Sequence, residues 1–168
     1  MSLFSWLFKR NDNPFYKEEN RMSRQALQKL LDAAAARDNK IDGVFIMLPT
    51  AGNTIMMKSD VPGFTGDPRI DDCAGWIGRF SNIGSTLSSI GYGEIRYALF
   101  PLKDAVLLLF YFEQEFSQPV VVGFFCLQAG EAEKAIGEMI YHAKNVVYGV
   151  SRDGKHIDGI KDFLGKLL

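Results

Sequence analysis

The chain has 168 residues, of which 47% are hydrophobic and 23% charged, a balance that suits one compact domain with a full core plus tails. A formal net charge of -1 removes the broad basic field that non-specific nucleic-acid binding requires, so nucleic acid is not an expected partner. The two cysteines, Cys73 and Cys126, lack the spacing of a metal knuckle or a redox pair and read as buried thiols of a cytoplasmic protein.

The chain opens with MSLFSWLFKR. Its positive charges, Lys9 and Arg10, follow a short apolar run, whereas a secretory signal places them first and needs a longer run. Elsewhere no stretch approaches the roughly 20 apolar residues needed to span a bilayer. Leu3, Phe4, Leu7 and Phe8 share one helical face, with Trp6 beside it. This face suits either a weak peripheral contact with the inner face of a membrane or docking on the domain or on a partner. Residues 11–14 break the pattern.

From Tyr16 to Arg37 the pattern predicts an amphipathic helix with Leu27, Leu30, Leu31, Ala34 and Ala35 on one face. The charges Arg21, Arg24 and Lys29 around it are most simply a solvated face. Val44–Leu48 and Thr54–Lys58, joined by turn chemistry, predict a hairpin. Residues 59–70 hold two prolines and two glycines without periodicity and read as a loop. Asp60, Asp67, Asp71 and Asp72 lack calcium-loop spacing, and Asp71 or Asp72 fits a helix N-cap instead.

Asp71–Ile90 predicts a helix with two distinct sides. Trp76, Phe80, Ile83, Leu87 and Ile90 form a narrow apolar stripe expected to bury. The opposite side carries Gly75, Gly78, Asn82, Ser85 and Ser89, and each helical glycine gives up about 1 kcal/mol relative to alanine. Close approach by another backbone would compensate for that loss. Three strands follow, at 94–100, 105–113 and 120–128. Their short links imply an antiparallel meander. In the middle strand both alternating sets are apolar, so helices must cover both faces of the sheet. The segment 131–148 predicts a helix with Ala132, Ala135, Ile136, Met139, Ile140, Ala143 and Val147 toward the core. His142 falls off that set without a readable catalytic partner. Ile157, Ile160, Phe163, Leu164, Leu167 and Leu168 suggest an amphipathic end helix, either closing a core edge or binding a partner.

The sequence carries little recognisable chemistry. GIKDFLGK has the wrong glycine spacing for a phosphate loop, with Leu167 where Ser or Thr belongs. Gly91-Tyr92-Gly93 lacks the rest of a dinucleotide fingerprint. There is no HExxH and no GxSxG elbow. No cofactor or metal and no catalytic residue are therefore assigned, and an enzyme is not expected.

The expected architecture is an α+β three-layer α/β/α sandwich around a five-stranded antiparallel sheet, ordered helix, hairpin, helix, three-strand meander, helix. It resembles the roadblock family, which includes the roadblock-type dynein light chains and bacterial proteins that regulate Ras-like polarity GTPases. The likeness is carried by IDGVFIMLP, TAGNTIM, DDCAGWIGRFSNIGSTLSSIG, EIRYALFPL, AVLLLFYF and VVVGFFCL, over about Arg21 to Val150. It implies a roadblock-like domain at 16–150, with an apolar tail at 1–15 and an amphipathic tail at 151–168. It also implies a homodimer, or a heterodimer with a relative, that acts without cofactors as a scaffold or regulator of a small GTPase. Carried onto this sequence, the dimer surface is the Gly75, Gly78, Asn82, Ser85, Ser89 side with the strand at 94–100, including Ile95 and Tyr97. The residues also admit an alternative, a sensor module of the PAS or GAF type holding a small ligand in an apolar pocket lined by Phe110, Phe112, Phe124 and Phe125.

Overall fold

The computed structural model describes residues 13–35, 41–49, 54–66, 70, 77, 89–91, 95–103, 105–126 and 132–168. The chain enters through two 3-10 turns, Pro14–Tyr16 and Glu18–Asn20, rather than through one helix from Tyr16. Pro14 presets the first turn, and the Asn13 side chain accepts from the Phe15 amide at 3.0 Å. The Arg24 guanidinium holds both turns by donating to the carbonyls of Phe15 and Lys17, each at 2.6 Å. Helix α1 then spans Arg21–Ala34, a run of straight-chain residues and alanines, and buries Leu27, Leu31 and Ala34.

Strands β1 (Gly43–Leu48) and β2 (Thr54–Lys58) form the expected hairpin, with a register shift between Ile46 and Met47. Strands β3 (Tyr97–Pro101), β4 (Val106–Phe112) and β5 (Val120–Cys126) form the expected meander. Strand β5 also pairs with β1, so the sheet is antiparallel throughout in the order β2-β1-β5-β4-β3. Helices α2 (Ala132–Tyr148) and α3 (Ile160–Leu167) complete the fold.

Strand alternation sorts the core into two clusters. Val44, Ile46, Leu48, Val106, Leu108, Phe110, Phe112, Val120, Val122 and Phe124 face α1, α2 and α3. Phe45, Met47, Leu107, Leu109, Val121 and Phe125 face the other way and meet Phe64, Ile70 and Ile77. At roughly 1.5–3 kcal/mol for each large side chain, burial on both faces is the main force holding the layers together. Cys126 lies in the helix-side cluster as a buried thiol. Cys73 lies outside the described residues.

Three expectations change. Ile90 does not bury with an apolar stripe; it is 60% exposed, because the chain leaves the helix at Ser89 and turns through Gly91 at φ 88°. The rest of that stripe lies outside the described residues, while Ile77, which the stripe omits, is helical and 1% exposed. Ile157 precedes the last helix and is 49% exposed, since the helix begins only after Gly159, whose amide donates to the Asp162 carboxylate at 2.9 Å. Finally, the 59–70 loop is not mere connection. Ser59 is fully buried and its hydroxyl accepts from the Val44 amide at 3.0 Å, and Phe64 packs at 6.2 Å from the Phe125 ring.

Glycine positions show where the layers touch. Gly123 on β5 sits opposite Phe45 on β1, and the Phe45 ring lies over the space a Cβ would occupy. Gly149, at φ 67°, and Gly159 bring their backbones together where α2 hands over to α3. Gly137, on the exposed side of α2, has nothing within reach of a Cβ. Gly123→Val should therefore destabilise the fold by about 2 kcal/mol through overpacking. Gly137→Ala should stabilise it by about 1 kcal/mol through helix propensity. Urea unfolding of the two variants beside the parent chain reads both as opposite shifts of midpoint at constant slope.

Candidate interaction surface

Strands β1, β4 and β5 are buried along nearly their whole length, whereas every position of β3 is half-buried or exposed. Among the described residues nothing pairs with its outer side. The direction of its backbone groups follows from two bonds. The Leu102 amide donates to Ala105 and the Tyr111 amide to Arg96, so positions 96, 98, 100 and 102 face β4. The N–H and C=O of Tyr97 and Leu99 consequently point away from the sheet. Pro101 offers a carbonyl there and no donor.

The two edges of the sheet are not equivalent. On β2 the Gln28 amide donates to the Lys58 carbonyl at 2.9 Å and to Asp32 at 2.8 Å, and Asp32 accepts from the Asp60 amide at 2.7 Å. Together with the irregular register at Ile46/Met47 and a terminal lysine, these are the usual devices that blunt an edge. Among the described residues strand β3 has only Pro101 at its far end.

Side chains around β3 are aromatic and cationic. Tyr97 is 40% exposed, stacks obliquely on Phe110 at 6.0 Å, and carries the Lys144 ammonium 4.6 Å above its ring. At the start of the strand a cleft of about 340 Å³ is lined by Ile95, Arg96, Tyr111, Phe112, Glu115 and Tyr148. Lys161 of α3 reaches its rim, pairing with Glu115 and lying 5.9 Å from the Phe112 ring and 5.7 Å from the Tyr148 ring. The structure thus places Ile95 and Tyr97, two of the interface positions expected from sequence, at one edge that no described strand covers. Ser89 is helical and exposed. Gly75, Gly78, Asn82 and Ser85 lie outside the described residues, as do Leu3, Phe4, Trp6, Leu7 and Phe8. Lys144, Arg96 and Lys161 carried no signal in the sequence, because their partners lie far away in the chain.

The aromatic set considered for a ligand pocket does not come together. Phe110, Phe112 and Phe124 fill the helix-side core, with Phe110 and Phe124 at 5.7 Å in edge contact, while Phe125 faces the opposite layer. No group of three or more His, Cys, Asp or Glu side chains could hold a metal ion among the described residues, and none of their helices is long and apolar enough to cross a membrane. Of the four aspartates considered for a cation, Asp60 accepts from the Thr65 hydroxyl at 3.3 Å, and the other three lie outside the described residues.

His142 is half-buried between α2 and the end of α1. Its ring donates to the Ala34 carbonyl, and Nε2 is buried without a hydrogen-bond partner among the described residues, which leaves Nδ1 as the donating nitrogen. Burial lowers its pKa from 6.5, opposed by the Ala34 bond and assisted by the positive charge of Arg152. Burial thus favours the neutral imidazole, which ties two helices.

A five-stranded antiparallel sheet in this order, with helices of an α+β chain on it, defines a roadblock-type fold. The chain shares that fold with solved structures of MglB. It aligns with the gliding protein MglB of Thermus thermophilus at a TM-score of 0.55 and 9% identity, over 86% of this chain and 90% of that one. It aligns with an MglB structure of tetrameric arrangement at a TM-score of 0.55 and 11% identity, over 73% and 83% of the two chains. A Roadblock/LC7 domain from Streptomyces avermitilis aligns at 0.45 and 14% identity, over 71% and 92%. Neither a protein-family model nor a curated protein sequence matches the chain.

The depressed pKa of His142 has a consequence for stability. The folded state holds the imidazole neutral, so as pH falls the unfolded chain takes up a proton first. Stability from this group is complete above about pH 6.5 and declines as pH drops through the lower folded value. His142→Asn, which keeps a donor near Nδ1 but cannot titrate, should flatten this part of the profile in chemical unfolding measured between pH 7.5 and pH 5.

Proposed function

We propose that this protein is a non-enzymatic interaction module that pairs with a second copy of itself and regulates a small Ras-like GTPase in the cytoplasm. The observation that carries this reading is a β3 edge unpaired among the described residues, on a sheet whose two faces are covered and whose other edge is blunted. An unpaired apolar edge invites another strand, and a copy of β3 covers it without exposing a new one. The interface in this reading joins β3, with Ile95 and Tyr97, to the small-residue side Gly75, Gly78, Asn82, Ser85 and Ser89. Residues 16–150 form the interacting unit, and α3 of the 151–168 segment braces it.

Two lines of support come from likeness. One of the MglB structures sharing this fold is a tetrameric arrangement, in keeping with self-association. The roadblock family, which the sequence resembles, includes bacterial regulators of Ras-like GTPases, in keeping with such a partner. In the same reading the apolar face Leu3, Phe4, Leu7, Phe8, with Trp6, gives a weak second contact with a membrane surface.

Ser85→Arg places a long charge on the close-packed side of the interface. It should halve the mass measured by light scattering while the circular-dichroism spectrum and unfolding midpoint stay near those of the parent. A variant that remains dimeric removes this interface. The regulatory half is tested with a purified small Ras-like GTPase from the same organism. Binding that depends on the bound nucleotide, or a changed rate of GTP hydrolysis on adding the full chain, supports the reading, and equal binding with unchanged hydrolysis sinks it.

Liposome sedimentation of the full chain beside a version starting at Asn13 tests the terminal contact. Vesicles with anionic headgroups should retain more of the full chain at low salt. Equal retention eliminates the membrane contact.

A further inference from the structure

At the edge of the sheet away from β3, a groove of about 380 Å³ runs between the entering 3-10 turns, α1 and β2. Phe15, Tyr16, Met56 and Met57 supply its apolar lining. We infer that this groove is the seat of the chain's own first twelve residues, which lay the apolar face of Leu3, Phe4, Leu7 and Phe8 into it. The inference concerns the opposite edge of the sheet and needs neither the self-pairing nor the membrane contact proposed above.

The walls of the groove are held in shape by bonds of their own. Asn13 caps the first turn, Arg24 clamps both turns through the carbonyls of Phe15 and Lys17, and the Asn20 amide donates to the Pro14 carbonyl at 2.8 Å. The Tyr16 hydroxyl reaches the Met56 thioether at 3.7 Å and ties the turns to β2. Most of the polar lining is likewise engaged, since Gln28 donates to Lys58 and Asp32 and Arg21 pairs with Glu18 at 3.3 Å. What the groove offers an occupant is therefore apolar. Two flexible thioethers beside two rings adapt readily to large apolar side chains. The surface continues the helix-side core, to which Phe15 belongs and against which Tyr16, Met56 and Met57 pack. It also runs on along α1, where Met22, one helical step of three from Gln25 in the groove wall, is 75% exposed.

Position in the chain selects the occupant. The first twelve residues lead directly into Asn13, and Phe15 and Tyr16 of the groove follow at once. Lys9 to Asp12 is a link that spans up to about 14 Å when extended, enough to turn the apolar face back onto the groove. So short a tether holds that face at an effective concentration on the order of millimolar, and a contact with a similar intrinsic dissociation constant is then about half filled. Any untethered apolar partner must displace it. The side chains also match, because Phe4, Trp6 and Phe8 bring rings to the Met56 and Met57 thioethers, and sulfur–aromatic contact is favourable.

Methionine methyl signals read the seat directly. The full chain is labelled with carbon-13 at its methionine methyls, and its spectrum is compared with that of a full-length Phe4→Ser, Phe8→Ser variant, which leaves every groove residue in place. Rings seated against Met56 and Met57 displace their methyl signals, so both should move in the variant. Met47 and Met139, fully buried in the two cores, should hold their positions. The displacement should also persist on tenfold dilution, because the contact lies within one chain. Unchanged Met56 and Met57 signals overturn the seat, and movement spread to Met47 and Met139 overturns a contact local to the groove. A displacement that fades on dilution overturns the chain's own segment as occupant and assigns the groove to the segment of a second copy.

Discussion

Three strands that are apolar on both faces govern the organisation of this protein. β1, β4 and β5 have no solvent side, so the sheet cannot exist without a layer above and a layer below. On one face α1, α2 and α3 share the work. On the other, Phe64, Ile70 and Ile77 meet Phe45, Leu107 and Phe125. Even the glycines fit this constraint, since Gly123 and Gly43 leave room for the rings of Phe45 and Phe64 on that second face.

With the faces closed, chemistry is left to the margins. The cores at the described positions are mainly aromatic and aliphatic contacts, and His142, half-buried on α2, joins the end of α1 to α2 by one hydrogen bond. The charged side chains that do gather, Lys144 over Tyr97 and Lys161 over Phe112 and Tyr148, line the side of the sheet where β3 runs. In the function proposed above, that side of the sheet is where another molecule is met.

Much of this architecture is legible in the residues alone, for identifiable reasons. Alternation in Val106–Phe112 declares two buried faces, and the Leu27, Leu31, Ala34 spacing declares the inner side of α1, because both periods are local. What needs distant residues is not legible. Phe64 sits in a stretch without periodicity, between a glycine at φ 87° and a threonine, and only its fit against Gly43 and Phe125 explains its burial. Lys144 meets Tyr97 across the chain. Ile90 belongs by spacing to an apolar stripe, yet Gly91 turns the chain before it can bury. On the candidate surface, Ile95 and Tyr97 are found from strand prediction and family likeness, but which of their backbone groups point outward depends on the pairing of β3 with β4.

The pairing of β1 with β5 carries a kinetic consequence. The β1–β2 hairpin is local and can close within microseconds, but its inner strand must wait for β5, which lies beyond the whole central part of the chain. Until Val44 finds Phe124, Val44, Phe45, Ile46 and Met47 present one continuous sticky ribbon on a free strand. The period before closure is when this protein is most exposed to aggregation, and raising its concentration during refolding should penalise yield more than adding denaturant after folding is complete.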